Sequence, residues 1–247
     1  MLTHIMIANE IIQRFLSLRD PKEATHLARF FKTGEGEYGF GDKFLGVRVP
    51  ATRSIVKEYK NAVNINTSIT LIQSEWHEIR LAGFLLLIEL YRKAKKQKNF
   101  SAAQQIVNVY INHIPNGNNW DLVDLVCQFI LGDWLVDHPQ ERNILDKFAE
   151  KEQSLWHQRV AIVSTFSMIR AGEYSDTIRI SKKFLSHKHD LIHKATGWML
   201  REMGKRGGYD ELISFLDEYA TEMPRTALRY SIERLPEKLR QYYLTKK

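Results

Sequence analysis

Apolar residues recur along this chain at helical spacing. Ile7, Ile11, Ile12 and Phe15 form one such set, and Leu212, Phe215, Leu216 and Tyr219 another. Steps of three and four residues place each set on one face of a helix. Alternating apolar and polar runs bounded by turn signals are absent, and Phe44–Pro50 is the one brief strand candidate. The six prolines, Pro21, Pro50, Pro115, Pro139, Pro224 and Pro236, all fall between periodic stretches. Proline lacks an N–H and clashes with the preceding turn, so it belongs at helix starts. The pattern predicts an all-α chain of about a dozen short helices with no sheet.

One segment breaks this pattern. Gly34–Gly46 holds five of the 13 glycines and reads as a loop. Backbone N–H groups of such a loop can cradle phosphate. The Gly-Lys-Ser/Thr ending of a nucleotide loop is missing and no strand precedes it. A plain connector and a backbone contact to a ligand both fit.

Aligning the helical stretches by their charges reveals a repeat. In 75–88, 119–132, 154–167, 189–202 and 224–236, the residues Arg80, Asp124, Arg159, Lys194 and Arg229 share a phase. Their separations are 44, 35, 35 and 35 residues. Such periods in a helical chain mark two-helix solenoid repeats of the HEAT or armadillo kind. One position on come Leu81, Leu125, Val160, Ala195 and Tyr230, and the apolar positions cluster away from the charged column on a helical wheel. The column is therefore expected to point off the core. Five helices in one register favour a continuous binding face over unrelated solvated charges. Gly83 and Gly197 also share a phase, as expected where helices approach closely.

Composition narrows the class. The chain of 247 residues is 44% apolar, enough for a sizeable core, and is read as one domain over 1–247. Cys127 is the single cysteine, so no intrachain disulfide or cysteine zinc framework can form, which suits a reducing cytoplasm. The formal charge of +7 permits nucleic acid, anionic membrane or acidic protein partners without selecting one. Met1–Arg19 reads as an amphipathic helix rather than a signal peptide, and Leu81–Leu90 is too short to span a membrane.

Few residues are arranged for chemistry. In Asn118-Asn119-Trp120-Asp121-Leu122-Val123-Asp124, an asparagine can cap a helix and Asp121 suits its first turn. Asp124 is different: it is the one acid in a column of bases, one turn beyond Trp120. A lone acid there repels a nucleic-acid backbone. It either stabilises a developing cation or pairs with Arg159 or Arg80 to order the stack. Trp198, one turn beyond Lys194, places a second indole near the same stripe, suited to stacking on bases or sugars. Trp134 and Trp156 are assigned to the core. His189 and His193 have metal-ligand spacing but no accompanying HExxH pattern, so no metal site is expected. The basic run Arg92–Lys98 closes a helix and reads as a solvated end.

Three spaced motifs then carry a resemblance. Trp120-Asp121-Leu122-Val123-Asp124, Leu155-Trp156-His157-Gln158-Arg159 and Lys194-Ala195-Thr196-Gly197-Trp198-Met199-Leu200-Arg201-Glu202 resemble the bacterial AlkD-type alkylpurine DNA glycosylases. Phe44-Leu45-Gly46-Val47-Arg48-Val49-Pro50 resembles that family's early motif. The likeness covers nearly the whole chain and departs from the family in the glycine-rich insertion. It implies a right-handed superhelical solenoid of HEAT-like repeats whose concave groove holds duplex DNA. It implies excision of positively charged N3- and N7-alkylated purines without metal or cofactor, by a monomer in the bacterial cytoplasm. The family's carboxylate falls on Asp124, its groove tryptophans on Trp120 and Trp198, and its groove arginine on Arg159. Arg48, Arg80, Lys194, Arg201 and Arg229 are the DNA-contact candidates, Arg48 and Arg201 mainly through the motifs. The family has relatives that bind branched or distorted DNA without glycosylase activity, so a non-catalytic HEAT-like scaffold is the alternative.

Overall fold

A computed structural model of the chain describes residues 2–246. They form sixteen α-helices, three short 3-10 turns and no strand. The arrangement is all-helical and compatible with a helical-repeat solenoid. The chain divides into two compact units, Met1–Leu122 and Val123–Lys247. In the first lie α1 (Leu2–Leu16), α2 (Pro21–Phe30), α3 (Val49–Tyr59), α4 (Ile65–Ile72), α5 (His77–Lys96) and α6 (Phe100–Asn112). The five-residue α7 (Trp120–Asp124) carries the boundary. The second unit continues with α8 (Leu131–Asp137), α9 (Asn143–Phe148), α10 (Leu155–Ser164), α11 (Phe166–Arg170) and α12 (Ser175–Lys183). It ends with α13 (Asp190–Lys205), α14 (Tyr209–Tyr219), α15 (Arg225–Ser231) and α16 (Glu237–Thr245).

The prolines stand where a missing N–H is harmless. Pro21 and Pro50 open α2 and α3, Pro115 and Pro139 start 3-10 turns, and Pro224 and Pro236 precede α15 and α16. Side-chain caps complete several starts, with Asp20, Asn64, Asn99 and Ser154 accepting backbone N–H groups of α2, α4, α6 and α10.

In the first unit α5 is the spine, with α3, α4 and α6 packed on it. Every residue from His77 to Ile88 is buried. Gly83 allows the contact with α4, because a Cβ there would lie 2.7 Å from the Ile72 nitrogen. In the second unit α13 packs on α10, α14 and α15. A Cβ on Gly197 would come within 2.4 Å of the Ala227 carbonyl, so α13 and α15 meet backbone to backbone. Both glycines are thus close-approach residues. Trp134 and Trp156 are core side chains.

Two expectations are corrected. The stretch 119–132 is not one helix: α7 ends at Asp124, and a 3-10 turn at Cys127–Phe129 precedes α8. The charged column also does not point uniformly off the core. Arg80 and Arg159 are each only 5% exposed, while Arg229 is exposed. The reason is packing: α5 and α10 are enclosed on several sides by neighbouring helices, so they have no free face over these turns.

Candidate functional site

The second unit places Asp124 against Arg159. Arg159 Nε donates to Asp124 Oδ1 at 2.8 Å and Nη2 donates to Oδ2 at 2.7 Å. This two-bonded geometry matches the guanidinium fork to the carboxylate plane. Arg159 Nη1 also donates to the Leu191 carbonyl in the first turn of α13. One side chain on α10 therefore ties the end of α7 to the start of α13. The side chains are 6% and 14% exposed, leaving the carboxylate the more accessible partner. The Asp124–Arg159 separation of 35 residues equals the repeat period found in the sequence. Beside them Cys127 is buried, and burial together with the Asp124 charge pushes its thiol well above the ordinary range. It is not a reactive thiol.

Trp198, half-buried on α13, tilts against Phe166 with ring centroids 6.1 Å apart. Arg170 and Arg206 lie over the Phe166 ring at 5.2 and 5.1 Å. The remaining cations differ in availability. Lys194 pairs with Asp190 one turn earlier at 2.8 Å. Arg201 pairs with Glu233 and Glu202, and lines a cavity of about 350 Å³ with Lys205, Arg234 and Tyr209. Arg229 lies exposed on α15.

In the first unit Arg48 is largely exposed and grips Glu23 at 2.9 and 3.0 Å. Trp120 is half-buried and stacks on Phe31 at 5.4 Å, with the exposed Phe30 edge-on at 5.9 Å. Arg80, a DNA-contact candidate in the sequence, is buried with its donors turned inward. Its Nε bonds the Asn116 carbonyl, Nη1 the Ser74 and Glu75 carbonyls, and Nη2 Asp42 and Asn118. All five N–H donors are spent inside the unit, which is how a buried guanidinium is tolerated.

Residues not singled out in the sequence complete the picture. His77 is buried between Asp42 (Nδ1, 2.7 Å) and Asp121 (Nε2, 2.9 Å). Burial opposes its charge, but the charges and hydrogen bonds of Asp121 and Asp42 prevail and raise its pKa from 6.5 to about 9. Asp121 thus does more than favour a helix start: it pairs with His77 and accepts the Leu122 N–H. Glu78, also buried, accepts the backbone N–H groups of Leu45, Gly46 and Val47. The glycine-rich segment is therefore a loop docked by two buried acids, its own Asp42 and Glu78 of α5. The one available signal was the 35-residue step from Asp42 to His77, the same step that joins Asp124 to Arg159.

His189 and His193 do not point to a common ligand. His189 caps α13 and His193 bonds the His187 carbonyl. Among the described residues no group of three or more His, Cys, Asp or Glu could hold a metal ion. No helix among them is long and apolar enough to cross a membrane.

With this geometry in view, the comparisons with known proteins have a definite meaning. The family model described as DNA alkylation repair enzyme matches residues 11–235. The chain belongs to the DNA alkylation repair enzyme family. The matched span covers most of both units of this family member and contains every candidate residue named above. Its fold is similar to that of a predicted DNA alkylation repair enzyme from Enterococcus faecalis, with a TM-score of 0.69. The two are 18% identical over 89% of this chain and 97% of that one, a likeness of fold. No curated protein matches the chain.

Proposed function

We propose that this family member is a DNA glycosylase that hydrolyses the N-glycosidic bond of positively charged N3- and N7-alkylated purines in duplex DNA. The observation that carries the reading is the Asp124 carboxylate, held in a fixed plane by buried Arg159 at the position where the motif resemblance puts the catalytic acid. Alkylation at N3 or N7 makes the base a cationic leaving group. When the bond to C1′ breaks, the electron pair leaves with the base and neutralises it, so no general acid is required. Positive charge moves to the sugar, where an ionised carboxylate stabilises it. The indole face of Trp198 would add cation–π stabilisation, and the motif resemblance assigns Trp120 a like role. Water then bonds to C1′ and releases a proton, with Asp124 orienting the attack.

A second reading has its own support. A buried two-bonded Arg–Asp pair is also what orders a helical stack, and the chain would then be a scaffold for distorted DNA. Incubation with methylated duplex DNA decides between them. Release of free alkyladenine or alkylguanine supports the glycosylase, and tight binding without release supports the scaffold.

A further inference from the structure

Around Trp120 the first unit carries a connected set of buried groups that the proposed chemistry does not use. His77 on α5 bonds Asp121, the residue after Trp120, and Asp42 of the glycine-rich loop. Arg80, one turn along α5, bonds the other oxygen of Asp42, Asn118 Oδ1 and the Asn116 carbonyl. Three residues flanking Trp120 are thus held from one helix. The indole itself rests on a column of rings. Trp120 stacks on Phe31 (5.4 Å, 30°), Phe31 on Phe44 (5.1 Å, 11°), and Phe44 on His77 (4.5 Å, 24°). The column ends on the same imidazole that holds Asp121. Gly39 lets the loop reach this place, since a Cβ there would lie 2.4 Å from the Phe31 carbonyl and 3.2 Å from Asn119 Nδ2.

We propose that His77, Arg80 and Asp42 are positioning residues that fix the Trp120 indole through Asp121, Asn118 and the Phe44–Phe31 stack. The functional part rests on the reading of Trp120 as a residue of the DNA site; the network does not depend on which reaction follows. An imidazolium donates from both nitrogens and serves both carboxylates, whereas a neutral imidazole donates from one. Losing that proton therefore releases Asp42 or Asp121. The groups facing the ring are Asp42, Asp121, Phe44 and Phe31, with Arg80 behind Asp42.

The fluorescence of Trp120 tests this without any appeal to catalysis. Subtracting the emission of Trp120→Phe isolates Trp120, first in the wild type and then in a His77→Gln background at neutral pH. A red-shifted difference spectrum in His77→Gln is expected, and the same shift in the wild type as pH rises past about 9. Identical difference spectra in both backgrounds, with far-UV circular dichroism showing folded protein, overturn the proposal. Should His77→Gln fail to fold, Asp42→Asn takes its place, and the wild-type titration needs no network variant. A second arm measures single-turnover excision from methylated duplex. His77→Gln should lower it by about 10- to 100-fold, the scale of a small misplacement, with duplex affinity little changed. In a Trp120→Ala background the same change should cost nothing further, and full additivity contradicts action through Trp120. A wild type that excises nothing sinks the glycosylase reading and leaves the fluorescence result to judge the network.

Discussion

Asp124 and Arg159 form a charge pair with two candidate roles that one experiment must separate. On the glycosylase reading, Asp124→Asn removes the charge opposed to a sugar cation, so excision should fall about 10²- to 10³-fold. It also leaves Arg159, 5% exposed, without its counter-ion. Breaking a buried pair costs about 3–5 kcal/mol, somewhat less here because Asn still accepts one hydrogen bond. A lower melting temperature is therefore expected under either function, and only excision per folded molecule discriminates. Unchanged excision by the folded Asp124→Asn protein leaves the pair as a structural tie. Trp198→Ala should lose less, about 2- to 30-fold, corresponding to a cation–π contact of about 0.5–2 kcal/mol. His77 supplies a pH dependence at the same scale. Its folded pKa, about 9, lies above the ordinary 6.5. The stabilisation is therefore complete below pH 6.5 and is lost as pH rises through about 9. Urea midpoints should fall over that window in the wild type and stay flatter in His77→Gln; parallel profiles would contradict the charged pair.

At the scale of elements, the helix contacts depend on missing side chains. Gly197→Ala puts a methyl 2.4 Å from the Ala227 carbonyl and 2.5 Å from Tyr230 Cβ, neither of which is a flexible tip. Separating α13 from α15 should cost about 1–3 kcal/mol, seen as a lower urea midpoint with little change in slope. A variant as stable as the wild type would mean that the contact is looser than it looks. This close approach was legible in the sequence, because Gly83 and Gly197 share a phase, and so were the helix starts, because proline tolerates few other positions. The break after Asp124 was not legible. Leu125, Val126, Phe129 and Ile130 continue a helical pattern, yet the backbone there makes three-residue bonds. Gln128 Nε2 takes the Asp124 carbonyl, and Ser167 Oγ takes that of Gln128. The long-range bond from Ser167 helps decide the local form, and no window of sequence contains it. Burial of Arg80 and Arg159 was hidden for a similar reason. A helical wheel assumes one open face, and α5 and α10 have neighbours around most of theirs. The pairing of Asp124 with Arg159 was legible as one of the two readings of that acid, whereas the buried bonds of Asp42, His77 and Glu78 were not, since each alone looks like an ordinary polar residue beside a loop.

At the scale of the molecule, membership of a DNA alkylation repair family together with the +7 charge predicts salt-sensitive binding to duplex DNA, and the ion pairs say which residues should set that sensitivity. Each phosphate neutralised releases condensed cations, so log affinity falls with log salt at a slope of about −0.9 per contact. Arg229 is exposed on α15, and Arg229→Ala should make the slope shallower by about one contact if it meets a phosphate. Arg48 and Arg201 already carry Glu23 and Glu233 as internal counter-ions. Their loss should shift the slope by less than one contact, because a paired arginine presents little net charge. Glu23→Gln should do the opposite, freeing Arg48 to tighten binding at low salt. Arg80 is the control with the same formal charge. Its five donors are spent inside the first unit, so Arg80→Ala should lower stability while leaving the slope of the folded fraction where it was. Affinities for an undamaged duplex, measured by fluorescence anisotropy over several salt concentrations, put the slopes of the four arginine variants on one scale. If Arg80→Ala changes the slope as much as Arg229→Ala, the charge acts through the summed field rather than through contacts. If none of the four changes it, these arginines do not face DNA.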